Sequence, residues 1–360
     1  MSSPRILIAG GGTGGHIFPA LAVARELRER HGAEVLFVGT ARGLESRLVP
    51  QAGFPLELIP VGPLNQVSLA TKLKTALTLP QSLLACSRIL SRFKPDAVFG
   101  VGGYASGPGM VTAILRRVPT MAFEPNAVPG MANRLVGKRV SAAAVNFPPA
   151  AKWFRNATVT GIPVRPEFFS VTQPAREAAP HLLIFGGSQG AGIFNRLLPP
   201  LTPELLEAAP GLTILHQAGA RHAETTREAY AASGADPARW RVEAFLDDMA
   251  ERFSAAHLIL ARSGASTVAE LAAAGKPSLL IPFARAADDH QKSNALVMME
   301  AGAAEMLEES QLGDTKILVG TIAGLFADPG RLEVMGDAAR GQAHRDAAVR
   351  ITEQLMALRV

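Results

Sequence analysis

The chain has 360 residues, 48% of them hydrophobic, with a net charge of +5 and one cysteine, Cys86. This apolar content suffices for two α/β cores, while a lone cysteine excludes an internal disulfide framework and reads as an intracellular chain. With no apolar run of about 18 residues and no apolar core behind Arg5, neither a transmembrane helix nor a signal peptide is expected.

The first predicted strand, Ile6–Ala9, turns through Gly10-Gly11-Gly12-Thr13-Gly14-Gly15-His16 into a helix-like run at Ala20–Ala24. Side-chain-free positions followed by a helix start make an anion site, because the backbone approaches a phosphate closely and the N–H groups and helix dipole favour negative charge. Gly10, Gly12 and Gly15 satisfy G-x-G-x-x-G formally, but a dinucleotide site also wants an acid about 20 residues later, at the end of the second strand. That strand, Val35–Val38, ends in Gly39-Thr40. The acid is missing, NAD is disfavoured, and His16 at the mouth of the loop is the residue to explain.

From Val67 to Lys94 the chain carries Lys72, Lys74, Arg88, Arg92 and Lys94 with no acid, interleaved with Leu73, Leu77, Leu79, Leu83, Leu84, Ile89, Leu90 and Phe93. Basic and apolar residues together suit an anionic membrane surface; an amphipathic core helix with a solvated basic face is the competing reading. Charge supports the first. Residues 1–165 hold 19 Lys and Arg against 7 Asp and Glu, a balance of +12, whereas the remainder holds 17 against 24, a balance of −7. Nucleic acid is not expected as a partner, since aromatic stacking residues are scarce and no reading motif appears.

Strands follow at Ala97–Gly100, Thr120–Phe123 and Ala142–Val145, the first two leading into glycine loops at Gly100–Gly109 and Phe123–Gly130. A Pro-rich stretch from Pro163 to Pro180 reads as the interdomain linker. A second series then begins at Leu182–Phe185 and continues with Thr213–Leu215, Leu258–Leu260 and Ser278–Ile281. Alternating strands and helices predict parallel sheets. Gly186-Gly187-Ser188-Gln189-Gly190 is a second phosphate-type loop, with Ser188 as a donor. Arg262 to Leu271 joins a strand to a helix that carries Glu270, a carboxylate suited to both hydroxyls of a ribose. The polar run Asp288–Asn294 suits a sugar, and a final helix-like stretch covers about 332–357. No H-E-x-x-H, Asp-x-Asp or G-x-x-x-x-G-K-[ST] occurs, so neither a metal site, nor a bound cofactor, nor an ATPase is expected.

The ordered motifs GGGTGGHIFPA, GGYASGP, EPNAVPG, TGIPVR, GGSQGA, FLDDM, RSGASTVAELAAAGKP and DDHQKSNA resemble the MurG family over essentially the whole chain. These are peptidoglycan N-acetylglucosaminyltransferases that convert lipid I to lipid II. The resemblance implies an α/β chain with the GT-B fold, two Rossmann-like doubly wound parallel-sheet domains facing an interdomain cleft. Residues 1–165 would form an acceptor- and membrane-facing domain, 166–335 the UDP-GlcNAc domain, and a C-terminal helix of about 336–360 would pack back on the first.

The same resemblance implies His16 as catalytic base, with Glu124 as rival base or orienting partner. Donor contacts would come from Thr13, Gly14, Gly15, Asn126, Arg165, Ser188, Gln291 and the run Ala265, Ser266, Thr267, Val268, Ala269 and Glu270, with Leu246 offering its backbone to uracil. Lipid I would be the acceptor at the cytoplasmic membrane face, where other cell-wall synthesis proteins are expected partners. Pro125 and Ile162 stand where many relatives carry Gln and Asn, which touches acceptor geometry. Two other readings share the fold. A UDP-GlcNAc epimerase needs no lipid-facing basic patch, and a non-catalytic sugar-nucleotide-binding subunit would bind without transferring.

Overall fold

The computed structural model describes residues 3–61, 69–286 and 289–359, with side chains in the helix over 69–93 described from residue 78. Two compact units emerge: Met1–Pro163 with Asp346–Val360, and Val164–Arg345.

In the first unit the order is β1 (Arg5–Gly10), α1 (Gly14–His31), β2 (Glu34–Gly39), α2 (Glu45–Gln51), β3 (Leu56–Leu58), α3 (Leu69–Phe93), β4 (Ala97–Gly102), α4 (Ser106–Leu115), β5 (Thr120–Glu124), α5 (Met131–Val136), β6 (Ala142–Val145) and β7 (Ala157–Val159). The seven strands are all parallel, in the order β3-β2-β1-β4-β5-β6-β7. Ile6, Leu7, Ile8 and Ala9 are buried, as strands covered on both faces require. The order reverses between β1 and β4, and in open α/β sheets ligands bind outside the carboxyl ends at that point.

The second unit runs β8 (His181–Phe185), α6 (Gly192–Ala208), β9 (Thr213–Gln217), α7 (Ala223–Ala232), β10 (Trp240–Glu243), α8 (Met249–Ala255), β11 (Leu258–Ala261), α9 (Ala265–Ala274), β12 (Ser278–Leu280), α10 (His290–Glu300), β13 (Ala304–Met306), α11 (Thr315–Phe326) and α12 (Pro329–Arg340); α13 (Ala347–Ala357) then returns to the first unit. Its six parallel strands are ordered β10-β9-β8-β11-β12-β13, with the reversal between β8 and β11.

All nine predicted strands form. The four that the sequence does not announce, β3, β7, β10 and β13, are the four sheet edges. Each has three or four residues and one neighbouring strand, so none needs the apolar run that marks an interior strand.

Two expectations are corrected. The Pro163–Pro180 stretch is not a patternless linker: the unit boundary falls after Pro163, and the residues beyond it pack into the second unit. A 3-10 turn over Pro166–Ser170 buries Phe168 edge-on to Phe253, with ring centroids 5.1 Å apart, and Gln173 Nε2 donates to the carbonyls of Ala274 and Gly275. The terminal stretch is not one helix. It breaks between Arg340 and Ala347, so α12 packs on α9 and α11 while α13 packs on α1, burying Ile351 and Leu355.

Lys276 is fully buried and donates to the carbonyls of Ala256 (3.0 Å), Thr172 (3.2 Å) and Ser254 (3.5 Å), tying the segment after Phe168 to the carbonyl-rich end of α8. Burial pushes its ammonium down to about 7, from 10.5 in the open chain. The unfolded chain therefore holds the extra proton between those values, and this residue makes stability rise with pH across that window. Lys276→Met strands the three acceptors; we expect it to cost about 1–3 kcal/mol and to flatten that rise. Urea unfolding read through Trp240 in a Trp153→Phe background checks both, and an unchanged midpoint would contradict them.

Candidate active site

In the first unit the loops after β1 and β4 interlock through glycine. Gly10, Gly11 and Gly12 have φ of 137°, 142° and 93°, and Gly102 and Gly103 have 88° and 78°, values that L side chains rarely adopt. Gly11 N–H donates to Gly102 O at 3.1 Å. A Cβ on Gly10 would strike Gly102 O, and one on Gly103 would strike Gly11 O. His16, in the first turn of α1, lies against Gly102: a Cβ there would sit 2.8 Å from its Cε1 and 2.9 Å from its Nδ1. Thr13 is the N-cap, exposed and making no side-chain cap bond, and Gly14 and Gly15 open the helix.

An acid that the sequence does not mark lies behind this loop. Glu45, 1% exposed, accepts from Gly12 N–H at 2.6 Å and from both Thr40 N–H and Thr40 Oγ1 at 2.9 Å. No acid follows β2 in the ribose position, yet one five residues past Thr40 turns inward. The reading of Gly10–His16 as an open anion site is corrected at Gly12, whose N–H is held by the chain's own carboxylate.

Glu124 ends β5 and is 2% exposed. It accepts from Asn126 N–H (2.9 Å), Asn126 Nδ2 (3.1 Å), Gly130 N–H (3.1 Å) and Asn133 Nδ2 (2.9 Å). Burial pushes its carboxyl up while the bonds from Asn133 and Asn126 pull it down. Four donors converging on one carboxyl fit the orienting of the 124–130 loop, and with it Asn126, better than proton abstraction. Asn133 carries no sequence signal, because nothing in one sequence marks an asparagine nine residues on as a partner.

The basic segment divides. Cys86, Ile89 and Leu90 enter the first unit's core, and burial pushes the Cys86 thiol up to about 12. Leu79 and Leu84 stand 42% and 53% exposed, with Arg88, Arg92 and Lys94 also exposed and Arg92 paired to Glu57. Val67 and the side chains of Lys72, Leu73, Lys74 and Leu77 lie outside the described residues.

In the second unit the loops after β8 and β9 interlock in the same way. A Cβ on Gly190 would strike Ala218 O, and one on Gly219 would strike Gln189 O. Ser188 lies in the first of these loops. Gln217 Nε2, at the end of β9, donates to Ala244 O at 3.2 Å, two residues before the buried Leu246.

Across the reversal, β11 runs through Arg262-Ser263-Gly264 into α9, whose N-cap Gly264 has no side chain to cover the first N–H groups. Ala265 and Val268 are buried; Ser266, Thr267 and Ala269 are half-buried. Glu270 Oε1 meets Arg165 Nη2 at 3.3 Å, and Arg165 Nη1 meets Glu167 at 3.5 Å, its guanidinium 4.8 Å over the Phe168 ring. Burial pushes the Glu270 carboxyl to about 7 against the opposing pull of Arg165. Two residues expected as separate contacts thus form a pair.

Gln291 Oε1 accepts from Phe283 N–H at 3.0 Å, Ser263 Oγ donates to Gln291 O at 2.8 Å, and Asn294 Nδ2 donates to Ser263 O at 3.1 Å. Asp288, in the same polar run, lies outside the described residues. Arg262, not expected as a site residue, clamps the strand ends: Nη1 donates to Ile281 O and Pro282 O, both at 3.0 Å, and Nη2 pairs with Glu309 at 2.5 Å. An arginine directly after an apolar interior strand was the available signal, since a buried guanidinium demands partners. Among the described residues no group of three or more His, Cys, Asp and Glu side chains gathers as a ligand set for a metal ion.

Residues 6–145 match the glycosyltransferase family 28 N-terminal domain, and residues 181–351 match the glycosyltransferase family 28 C-terminal domain. A UDP-N-acetylglucosamine--N-acetylmuramyl-(pentapeptide) pyrophosphoryl-undecaprenol N-acetylglucosamine transferase of Anaeromyxobacter dehalogenans (strain 2CP-C) is 44% identical over 359 residues, covering 98% of this chain and 93% of its own. The protein of that name in Solibacter usitatus (strain Ellin6076) is 45% identical over 345 residues, covering 92% and 94%. Among solved structures, Acinetobacter baumannii MurG superposes with a TM-score of 0.83 at 30% identity, covering 98% of this chain and 99% of that one.

Proposed function

We infer function from one premise: the chain belongs to glycosyltransferase family 28 and has its two-domain GT-B fold. It is an N-acetylglucosaminyltransferase that moves the sugar of UDP-N-acetylglucosamine onto the MurNAc 4-hydroxyl of undecaprenyl-diphospho-MurNAc-pentapeptide, turning lipid I into lipid II for peptidoglycan synthesis. The near-full-length identity to relatives of that name carries this reading.

In our assignment the second unit holds the donor and the first supplies acceptor and base. The acceptor 4-hydroxyl attacks the anomeric carbon, the bond to UDP breaks with inversion from α to β, and His16 takes the hydroxyl proton. Histidine, with an unperturbed pKa of roughly 6.5, suits a base at neutral pH. Charge developing on the departing diphosphate would be met by Arg165, Ser188 and the uncapped start of α9, whose N–H groups and dipole favour an anion. Leu246 would offer its backbone to uracil, Glu270 would accept from the ribose, and Gln291 would read the sugar hydroxyls. Thr13, Gly14, Gly15 and Asn126 are assigned as further donor contacts, with Glu124 orienting Asn126. The test is UDP release with and without a lipid I analogue: release that requires the acceptor supports transfer. Turnover of UDP-GlcNAc alone would favour an epimerase, and binding without turnover a non-catalytic subunit.

We assign the protein to the cytoplasmic face of the membrane as a peripheral protein. The +12 balance of residues 1–165 and the exposed Leu79 and Leu84 of α3 support this, and no helix among the described residues is long and apolar enough to cross a bilayer. Each Lys or Arg held near an anionic leaflet contributes roughly 1 kcal/mol, screened by salt. The protein should sediment with anionic vesicles at low salt, ignore neutral ones, and lose most binding when Lys72, Lys74, Arg88 and Arg92 are together changed to Glu. A quadruple variant that sediments like the parent would place the membrane surface elsewhere.

A further inference from the structure

Gly10, Gly11 and Gly12, at the end of β1 and just past it, have no side chains to hold them in place, yet the loop they form must carry His16 to a fixed place. Both backbone groups of Gly12 are held from one side: its N–H donates to Glu45 Oε2 at 2.6 Å, and its carbonyl accepts from Leu44 N–H at 3.3 Å. Glu45 Oε1 is held in turn by Thr40 N–H and Thr40 Oγ1, just past the end of β2. A socket of glycines surrounds the carboxyl, since a Cβ on Gly11, Gly39 or Gly43 would collide with Glu45. Glu45 is buried, the bonds from Gly12 and Thr40 all come to its carboxyl from donors, and an acceptor-only carboxylate fits that arrangement.

We propose that Glu45 is a positioning residue for transfer: a built-in anion that occupies the first glycine loop where a ligand phosphate would otherwise sit, and so fixes the approach of His16. The proposal rests on the assignment of His16 as base. It explains why a loop with the outward pattern of a dinucleotide site lacks the acid after β2 that would hold a ribose. The anion at Gly12 is internal, and the loop serves to hold a catalytic side chain.

Glu45→Gln keeps the volume but sets an amide NH2 against either Gly12 N–H or Thr40 N–H. We expect kcat to fall about tenfold or more, since small misplacements of reacting groups carry costs of that size, with a much smaller change in the UDP-GlcNAc dissociation constant and circular dichroism like the parent's. Glu45→Ala empties a carboxylate-sized socket, so formate or acetate should restore part of its kcat and do nothing for the parent or for Glu45→Gln. In a His16→Ala background, Glu45→Gln should add no further loss. Parent-like kcat in Glu45→Gln, losses that multiply with those of His16→Ala, or a Glu45→Ala defect that tracks unfolding and ignores formate would each overturn the proposal. A fully active His16→Ala would overturn the base assignment and the proposal with it, whereas an impaired His16→Ala beside a parent-like Glu45→Gln would overturn the proposal alone.

Discussion

His16→Ala is expected to lower kcat by about 10²-fold or more while leaving affinity for UDP-GlcNAc nearly unchanged. A positioned general base contributes about 10²–10⁴-fold to a proton-transfer step, and its removal acts on the transition state rather than on the bound ground state. His16 is the base we assign. It stands in the first turn of α1, with its ring against Gly102, a position where any side chain would press on it. The donor is assigned mainly to the second unit, so calorimetry with UDP-GlcNAc should barely register the change. A loss confined to donor affinity would show that His16 binds and does not catalyse.

Glu270→Ala is expected to weaken UDP-GlcNAc binding by about 10- to 100-fold, the range of hydrogen bonds made to a charged group, with a smaller effect on kcat at saturating donor. Its pH dependence is the sharper signature. The free carboxyl titrates at about 7, raised by burial, and its ionised form accepts from the two ribose hydroxyls more strongly than the acid, one of whose oxygens carries a proton. Binding therefore expels a proton below about 7, and affinity should fall as pH drops through that value, by at most about tenfold per pH unit. Glu270→Gln should be flat over the same range. For folding the sign is opposite: with 4.5 as the unfolded value, the folded chain holds the extra proton between 4.5 and about 7. The stability this group contributes is full below that window and lost as pH rises through it. An affinity indifferent to both pH and substitution would remove Glu270 from the donor site.

Interior strands were legible because burial on both faces forces uninterrupted apolar residues, as at Ile6–Ala9 and Leu182–Phe185. Edge strands such as Ala157–Val159 obey no such demand. The glycine loops were legible as loops, but what fills them was not. Glu45 reaches Gly12 across 33 positions and Arg165 reaches Glu270 across 105, contacts set by sheet topology and not by spacing along the chain. Arg165 also illustrates why the Pro-rich stretch misled: prolines end the regular pattern, but Phe168, buried against Phe253, still anchors the segment in the second unit.

The configuration of the product tests the central claim most directly. With UDP-GlcNAc and a water-soluble lipid I analogue, NMR of the isolated product should show a new GlcNAc residue joined β to the MurNAc 4-oxygen, formed one for one with UDP. An α-linked product, or sugar released from UDP-GlcNAc without joining the acceptor, would contradict inverting transfer by this chain.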